Sequence, residues 1–220
     1  MKFLFSIITF SIFTLTLAQK TQDLGEFNFL EVFDKIPVTL IQSDKNHIEI
    51  SGSRANEVEL VSKDRQLKIR MSTKNLLKGD DVKITLYYQE LNEIHANEGS
   101  HISSEETINS SNLILNSKEG AEINLAVKTN SLEIKTNTGG RIYVNGSADF
   151  QSVVSNSGGI YDGEKLETSK TEVTVNAGGE AKVFATETVD AKTRAGGNIH
   201  IFGGAQVTQQ NIAGGKVHLH

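Results

Sequence analysis

Three histidines near the C-terminus are the residues of this sequence that most resemble a metal site. His200 and His218 each lie four residues after a glycine, Gly196 and Gly214, and His220 follows two residues later. Imidazole nitrogens are common Zn²⁺ ligands, and stacking of the two segments would bring the three rings within reach of one ion. The alternative is a surface ladder of imidazoles at the chain end, and we favour it. The other histidines show no partner spacing: His47, His95 and His101.

Carboxylates raise a second possibility, which is cleavage of a polysaccharide. Glycoside hydrolysis needs two carboxyl groups roughly 5–10 Å apart. Glu122 and Glu180 each lie two residues after a glycine, an offset that they share with Arg141. Glu122 and Arg141 would therefore be neighbours in a stack, and a surface ion pair explains them better than catalysis does. The remaining candidates are two adjacent pairs, Asp80-Asp81 and Glu105-Glu106.

No other catalytic chemistry is visible in the sequence. There is no cysteine, which excludes thiol chemistry, and no serine lies in a Gly-x-Ser-x-Gly motif. The Gly-Gly pairs could resemble phosphate-binding loops, but no helical pattern follows any of them, so the helix dipole that such loops use is missing. We therefore predict no catalytic residues, no cofactor and no metal.

A repeat marked by glycine must position these residues. Seven glycines recur at intervals of 18 to 21 residues, and five of them are followed at once by a second glycine. Apolar residues lie three and five positions after the first glycine, as Ile142 and Val144 do after Gly139, with a polar or amphipathic residue such as Tyr143 between them. This alternation is typical of a strand with one buried face, and its recurrence indicates a solenoid. The seven glycines are Gly99, Gly120, Gly139, Gly158, Gly178, Gly196 and Gly214.

Two architectures can use such a repeat. Each unit is either a hairpin of an antiparallel meander or one coil of a β-helix whose coils stack about 4.8 Å apart. The same offset from glycine carries the same type of residue in every unit, which stacking rewards and an antiparallel meander does not. We therefore predict an all-β fold, a single-stranded β-helix of about seven coils, in which Ile123, Ile142 and Ile199 form one column.

Two local features refine this prediction. Asparagine often lies two residues before the glycine, and because Asn and Gly tolerate positive φ, each unit should contain a tight turn. Near Gly158, the residues Ile160 and Tyr161 do not fit the register of the other units, which predicts a one-residue bulge there. The asparagines are Asn97, Asn137, Asn156 and Asn176.

The chain divides into three segments. Residues 1–18 have a basic start at Lys2, a short apolar run and small residues around a cut near Ala18, which predicts a cleaved secretory signal peptide and an exported protein. Residues 19–90 should form a β region that caps the solenoid, and residues 91–220 should carry the repeats, the two together making one domain. Because there is no cysteine, a lipoprotein anchor is not expected.

The formal net charge is −5, and the sequence has no block of basic residues. Nucleic acid and anionic membrane surfaces are therefore not expected as partners.

Several segments together resemble a known family. They are Phe33 to Val38, Val58 to Val61, Gln66 to Ile69 and the Gly-Gly turns that are followed by alternating apolar strands. In this combination the chain, from about Phe27 to Leu219, resembles the bacterial head GIN domain proteins, which are described as autotransporter adhesins. The resemblance implies an exported protein of Gram-negative type, a pectin-lyase-like right-handed β-helix and a role in adhesion without catalytic residues. The Gly-Ile-Asn triplet itself is nowhere intact, the nearest segments being Glu122 to Asn124 and Asn198-Ile199, so no site is carried over.

The sequence thus predicts an exported, non-enzymatic binding protein. A long polar face of the solenoid would hold an extended ligand such as a glycan or a surface protein. A carbohydrate-active lyase or hydrolase and a structural component of the cell envelope are the alternatives. We also expect the last coil to expose an unpaired strand edge through which the protein associates with a second copy or another partner.

Overall fold

The computed structural model describes residues 20–220, and the predicted signal peptide lies outside the described residues. In this part of the chain nearly all regular structure is strand, with two short 3₁₀ helices at Ala55–Glu57 and Gly79–Asp81. The strands are β1 (Lys20–Asp23), β2 (Phe29–Val32), β3 (Pro37–Gln42), β4 (His47–Gly52), β5 (Val58–Lys63), β6 (Gln66–Met71), β7 (Val82–Tyr88), β8 (Glu93–Ala96), β9 (His101–Lys118), β10 (Glu122–Asn137), β11 (Arg141–Ser155), β12 (Ile160–Asn176), β13 (Glu180–Phe184), β14 (Thr188–Arg194), β15 (Asn198–Phe202), β16 (Gln206–Ile212) and β17 (Lys216–Leu219).

The coils stack in parallel, as the repeat predicts. Ile123 pairs with Ile102 on one side and with Ile142 on the other, and Ile199 lies in the same column between Ala181 and Val217. The three isoleucines that the repeat aligns are fully buried. The predicted all-β solenoid of about seven coils is therefore confirmed.

Each coil reverses at a tight turn whose dihedral angles explain the glycine repeat. In the turn after β10, Thr138 has φ of 48° and Gly139 has φ of 72°, while the Gly140 amide donates to the Asn137 carbonyl over 2.9 Å. Two central residues at positive φ are typical of a type I′ hairpin turn. Here, however, the turn does not close a hairpin: β10 and β11 pair in parallel, with Glu122 opposite Arg141 and Thr136 opposite Ser155. The asparagine itself is not at positive φ; the residue after it is.

The predicted bulge near Gly158 is displaced. Ile160 and Tyr161 are in register with Arg141 and Ile142, and Tyr161 continues the buried isoleucine column. The register shifts a few residues later, between the partners of Tyr143 and Asn145. Gly163 makes room for the large ring, because a Cβ there would lie 2.3 Å from the Tyr161 hydroxyl.

A buried polar network holds the Tyr161 ring in the interior of the coil. Its hydroxyl donates to the Gln151 Oε1 atom over 2.9 Å, and the Gln151 amide donates to Thr171 over 2.9 Å. Thr168 contacts Thr171 over 2.9 Å and donates to the Phe184 carbonyl over 2.6 Å. Burial raises the pKa of the Tyr161 phenol well above its ordinary value. Because each hydroxyl has a partner, the network costs little desolvation energy.

The residues before position 91 contribute coils of their own. Strands β2 and β3 pair in parallel with β8 and β9, and they also pair in parallel with β6 and β7 on their other side. The coil built from β6 and β7 is therefore outermost, although it comes later in the chain. Antiparallel strands β5, β4 and β1 extend the sheets beyond this coil. The division at residue 90 stays a prediction.

Asp34 fixes the segment 72–79 through hydrogen bonds. It is 2% exposed, and its carboxylate accepts hydrogen bonds from the amides of Met71 and Leu77, each over 2.9 Å. Its carbonyl also accepts from the Gly79 amide over 2.9 Å. The segment is thereby tied to the turn between β2 and β3.

Candidate ligand-binding groove

A long polar groove, which we call the corner groove, crosses the coils at the bend opposite the glycine turns. Its volume is about 1150 Å³. It begins beside β2 and ends at Thr186, two residues before β14. This is six steps from coil to coil, or about 29 Å at 4.8 Å a step. Successive coils contribute Asn92, Ser111, Asn130, Asp149, Ser169 and Thr186 to its lining.

The bend arises from a change of phase within a single strand. Along β10 the buried residues alternate up to Thr129 and resume at Leu132, while Asn130 and Ser131 between them both face outward. Because side chains of a straight strand alternate between faces, two consecutive outward residues mark a bend. The same change occurs at Asp149-Phe150 in β11.

Columns of unlike polar residues run along the groove. Residues of one column are paired across parallel ladders: Asn109 with Lys128, Lys128 with Ser147, and Ser147 with Glu167. All four are exposed. The ladder sets their spacing at about 4.8 Å along the solenoid, so the groove presents hydrogen-bonding groups at regular intervals.

Hydrogen bonds hold the floor of the groove in place. The Ser110 hydroxyl lies 2.9 Å from the Asn92 amide oxygen and 2.7 Å from the Asn112 carbonyl. The Thr129 hydroxyl donates to the Ser131 carbonyl over 3.1 Å. The floor is therefore already ordered before a ligand binds, and this reduces the entropic cost of binding.

The outward side chains of the groove are by contrast available to a ligand. Within residues 20–220, no hydrogen bond or ion pair engages the side chains of Ser111, Lys128, Asn130, Ser147, Asp149, Glu167 and Ser169. Asp149 and Glu167 have no cationic group within 4.0 Å among these residues, and Lys128 is the one basic side chain of the lining. The lining also contains Glu90 and Glu93, so the groove is acidic overall.

An aromatic contact marks one end of the groove. The rings of Phe29 and His95 meet edge to face with centroids 4.7 Å apart, and the His95 Nε2 atom lies 2.8 Å from Glu93. Burial lowers the pKa of His95, although Glu93 acts in the opposite direction. The imidazole is therefore neutral at neutral pH and does not cancel the charge of Glu93.

The structure brings the three C-terminal histidines together as stacked rings. His200 pairs with His218 across the ladder, with ring centroids 4.6 Å apart, and the His200 Nδ1 atom lies 3.1 Å from the Nε2 atom of His220. Phe202 stacks on His220 at 4.5 Å. Among residues 20–220 no group of three His, Asp or Glu side chains is arranged to hold a metal ion.

Glu122 and Glu180 lie too far apart to form a catalytic pair. Glu122 lies 3.4 Å from His101 on the preceding coil, and although it is in register with Arg141, the ion pair predicted between these two does not form. Glu180 is three coils from Glu122, about 14 Å away along the solenoid, which is beyond the spacing that glycoside cleavage requires. Asp81 binds Arg54 over 3.1 Å, and Glu106 accepts from the Gln42 amide over 3.2 Å.

Sequence reasoning missed the corner groove, although a signal was present. The apolar alternation after Gly120 changes parity between Val127 and Leu132. That change places Asn130 and Ser131 side by side on the outside, and it recurs in β11 with Asp149 and Phe150. A search for the phase break, rather than for the glycine alone, would have located the bend.

The fold and the groove together define a class of protein: a β-solenoid with a polar groove along its axis. Residues 26–205 match the family described as "Putative auto-transporter adhesin, head GIN domain". The chain therefore belongs to this family, as its motifs predicted. No curated protein matches the sequence significantly.

Solved structures share the fold at low sequence identity. A "putative adhesin" from Bacteroides fragilis is 20% identical with a TM-score of 0.83, covering 94% of this chain and 98% of its own. A "putative adhesin" from Parabacteroides distasonis is 22% identical with a TM-score of 0.76, covering 93% of this chain and 97% of its own. A "Putative lipid binding protein" from the same species is 17% identical with a TM-score of 0.70, covering 92% and 96%. In residues 20–220 of the present chain, no helix is both long and apolar enough to span a membrane.

Proposed function

We propose that this protein is an exported, non-enzymatic binding protein of the adhesin type that holds an extended glycan along the corner groove. The observation that carries the proposal is the row of unengaged polar side chains at the spacing of the coils. Serine, asparagine and carboxylate groups such as Ser147, Asn130 and Asp149 are hydrogen-bonding partners for sugar hydroxyls. A polymer lying along the solenoid meets a new set of them at each coil.

The composition of the groove favours a glycan over a protein. Hot spots of protein interfaces are rich in Trp, Tyr and Arg, whereas the lining contains none of these, and Phe29 is its single aromatic residue. It favours a glycan over a lipid as well. Only Phe29, Ile114 and Ala148 of the lining are apolar, so an acyl chain would find little surface on which to be buried.

Glu122 and Glu180, the carboxylates singled out from the glycine repeat, also fit a binding role better than hydrolysis. Glu122 is engaged by His101, and Glu180 lies about three coil spacings from it, or about 14 Å. The family description as adhesins points the same way. A carbohydrate-active enzyme would instead release reducing ends from a polysaccharide, and the purified protein should release none while still binding the polymer.

The test is binding of the purified protein to an array of glycans and polysaccharides, with and without a block in the groove. Ser147→Trp places a bulky ring on an exposed position in the middle of the groove. Ser152→Trp is the matched control, because Ser152 faces outward on the same strand but does not line the groove. Binding should be lost in Ser147→Trp and retained in Ser152→Trp. Equal binding by both variants, or no binding to any glycan, would refute the proposal.

A further inference from the structure

The charge of the corner groove points to the kind of glycan it takes, an inference that rests on the proposed function. We propose that the groove selects non-acidic glycans and rejects polymers that carry a repeating carboxylate or sulfate. Four carboxylates line the groove against one amine. Net charge in a cleft with fixed walls discriminates between ligands mainly by repelling the wrong ones.

The carboxylates are placed where a polymer cannot avoid them. Glu93 lies on β8 and Asp149 on β11, three coils apart or about 14 Å, and Glu167 follows one coil further. The Debye length at physiological ionic strength is about 8 Å. A polyanion that fills the groove therefore has charged units within one Debye length of a carboxylate along most of its bound length.

The surrounding protein compensates only a part of this charge. Glu90 lies 3.8 Å from Arg65, and Glu93 contacts the neutral ring of His95. Asp149 and Glu167 lack a cationic partner within residues 20–220. Lys128 lies in the coil before Asp149 and offers one positive charge to a polymer that would bring several negative ones. Elsewhere on the solenoid, carboxylates more often have a basic partner, as Asp162 has Lys182 at 3.0 Å.

The experiment compares each acidic polysaccharide with its own carboxyl-reduced form. Reduction removes the charge and leaves the linkages and ring configurations unchanged, so a difference in binding reports charge alone. The panel contains polygalacturonate, alginate and hyaluronan, each beside its reduced form, together with neutral mannan, xylan and laminarin. At about 0.15 M ionic strength we expect the reduced form of any polymer that binds to be at least about tenfold tighter than the acidic form. The ratio should shrink at high salt, because screening weakens the repulsion.

Two matched double variants assign the discrimination to the groove. Asp149→Asn with Glu167→Gln removes the two uncompensated charges and keeps hydrogen-bonding groups of the same shape. It should raise the affinity for each acidic form, relative to its own reduced form, at least about fivefold. Glu119→Gln with Glu180→Gln removes the same charge near the glycine turns, roughly 20 Å away along the strand, and should leave the ratio unchanged.

The outcomes separate this inference from the proposed function. If an acidic polymer binds the unmodified protein as tightly as its reduced form and Ser147→Trp abolishes both, the groove binds glycans but the charge inference is wrong. The charge inference is also wrong if the two double variants bind the acidic forms alike. If no polymer of either class binds, the proposed function fails and this inference fails with it.

Discussion

Alanine substitutions at two adjacent glycines of one turn should lower the free energy of unfolding by very different amounts. Gly139 has φ of 72° and open space around the position of a Cβ, whereas a Cβ on Gly140 would lie 2.2 Å from the Ser117 carbonyl oxygen and 2.4 Å from its carbon. Gly139→Ala therefore meets only the left-handed backbone strain, about 1–2 kcal/mol. Gly140→Ala instead pushes against the backbone of the coil below.

The loss of unfolding free energy in Gly140→Ala can be worked out from how far the added methyl group pushes the coils apart. Ordinary contact begins at 3.4 Å, so the coils must separate by about 1.2 Å at this point. That movement breaks ladder bonds such as the one from the Arg141 amide to the Ala121 carbonyl, now 2.9 Å. Two or three such hydrogen bonds contribute about 1 kcal/mol each, and packing strain adds to their loss. We therefore expect the free energy of unfolding to fall by about 3–5 kcal/mol.

The assay is urea unfolding followed by far-ultraviolet circular dichroism, with both variants measured beside the unmodified protein. Gly140→Ala should shift the midpoint at least twice as far as Gly139→Ala. Equal shifts, or a larger shift for Gly139→Ala, would show that the second glycine is not required by close approach of the coils. The stacking distance inferred for the turns would then be wrong.

Three further predictions concern the core, pH and association. Gln151→Leu leaves the buried Tyr161 hydroxyl without its hydrogen-bond partner and should lower the free energy of unfolding by about 1–3 kcal/mol. A neutral effect in urea titrations would contradict the network. Burial lowers the pKa of His95 below its ordinary 6.5, so the contribution of this residue to stability should be complete above pH 6.5 and decline as the pH falls. In His95→Gln the melting temperature should therefore change less between pH 7 and pH 5 than in the unmodified protein. An unchanged slope of melting temperature against pH would rule this out. β16 pairs only with β14 in the described part of the chain, so its other edge is open to a second copy. Sedimentation velocity should show concentration-dependent dimers, and Thr208→Lys should disrupt them. A monomer at millimolar concentration would refute association through this edge.

The stacked architecture could be predicted from sequence because the repeat constrains it directly. A shared offset from glycine places Ile123, Ile142 and Ile199 in one column, and the turn itself fixes the offset. The coil order of the N-terminal region could not be predicted in this way. Strands β6 and β7 are not part of the glycine repeat, and they pair with the edges of β2 and β3 that β8 and β9 leave free.

The side-chain partners were less predictable than the backbone. Glu122 has a neighbour in each direction along its column, His101 and Arg141, and sequence alone does not say which one it will contact. Ile160 and Tyr161 suggested a break in the register because they do not fit the pattern of the other units, yet the Tyr161 ring lies in the isoleucine column. Gly163, two residues later, leaves the space that the Tyr161 ring occupies. The sequence does not show this dependence of Tyr161 on Gly163, because it requires knowing that both positions lie on the same face of the strand.

The location of the groove follows from the geometry of a stacked coil. On the flat faces an outward side chain has a like-placed neighbour about 4.8 Å away on each side, and ion pairs such as Lys182 with Asp162 form between coils. At the bend two consecutive residues both face outward, as Asn130 and Ser131 do, and side chains of the groove such as Asn130 and Asp149 form no hydrogen bond or ion pair with their neighbours within residues 20–220. Polar groups that the ladder cannot engage are left to solvent or to a ligand. Because the bend recurs in successive coils, as in β10 and β11, the solenoid offers the row of polar groups on which the proposed binding of an extended, repeating ligand depends.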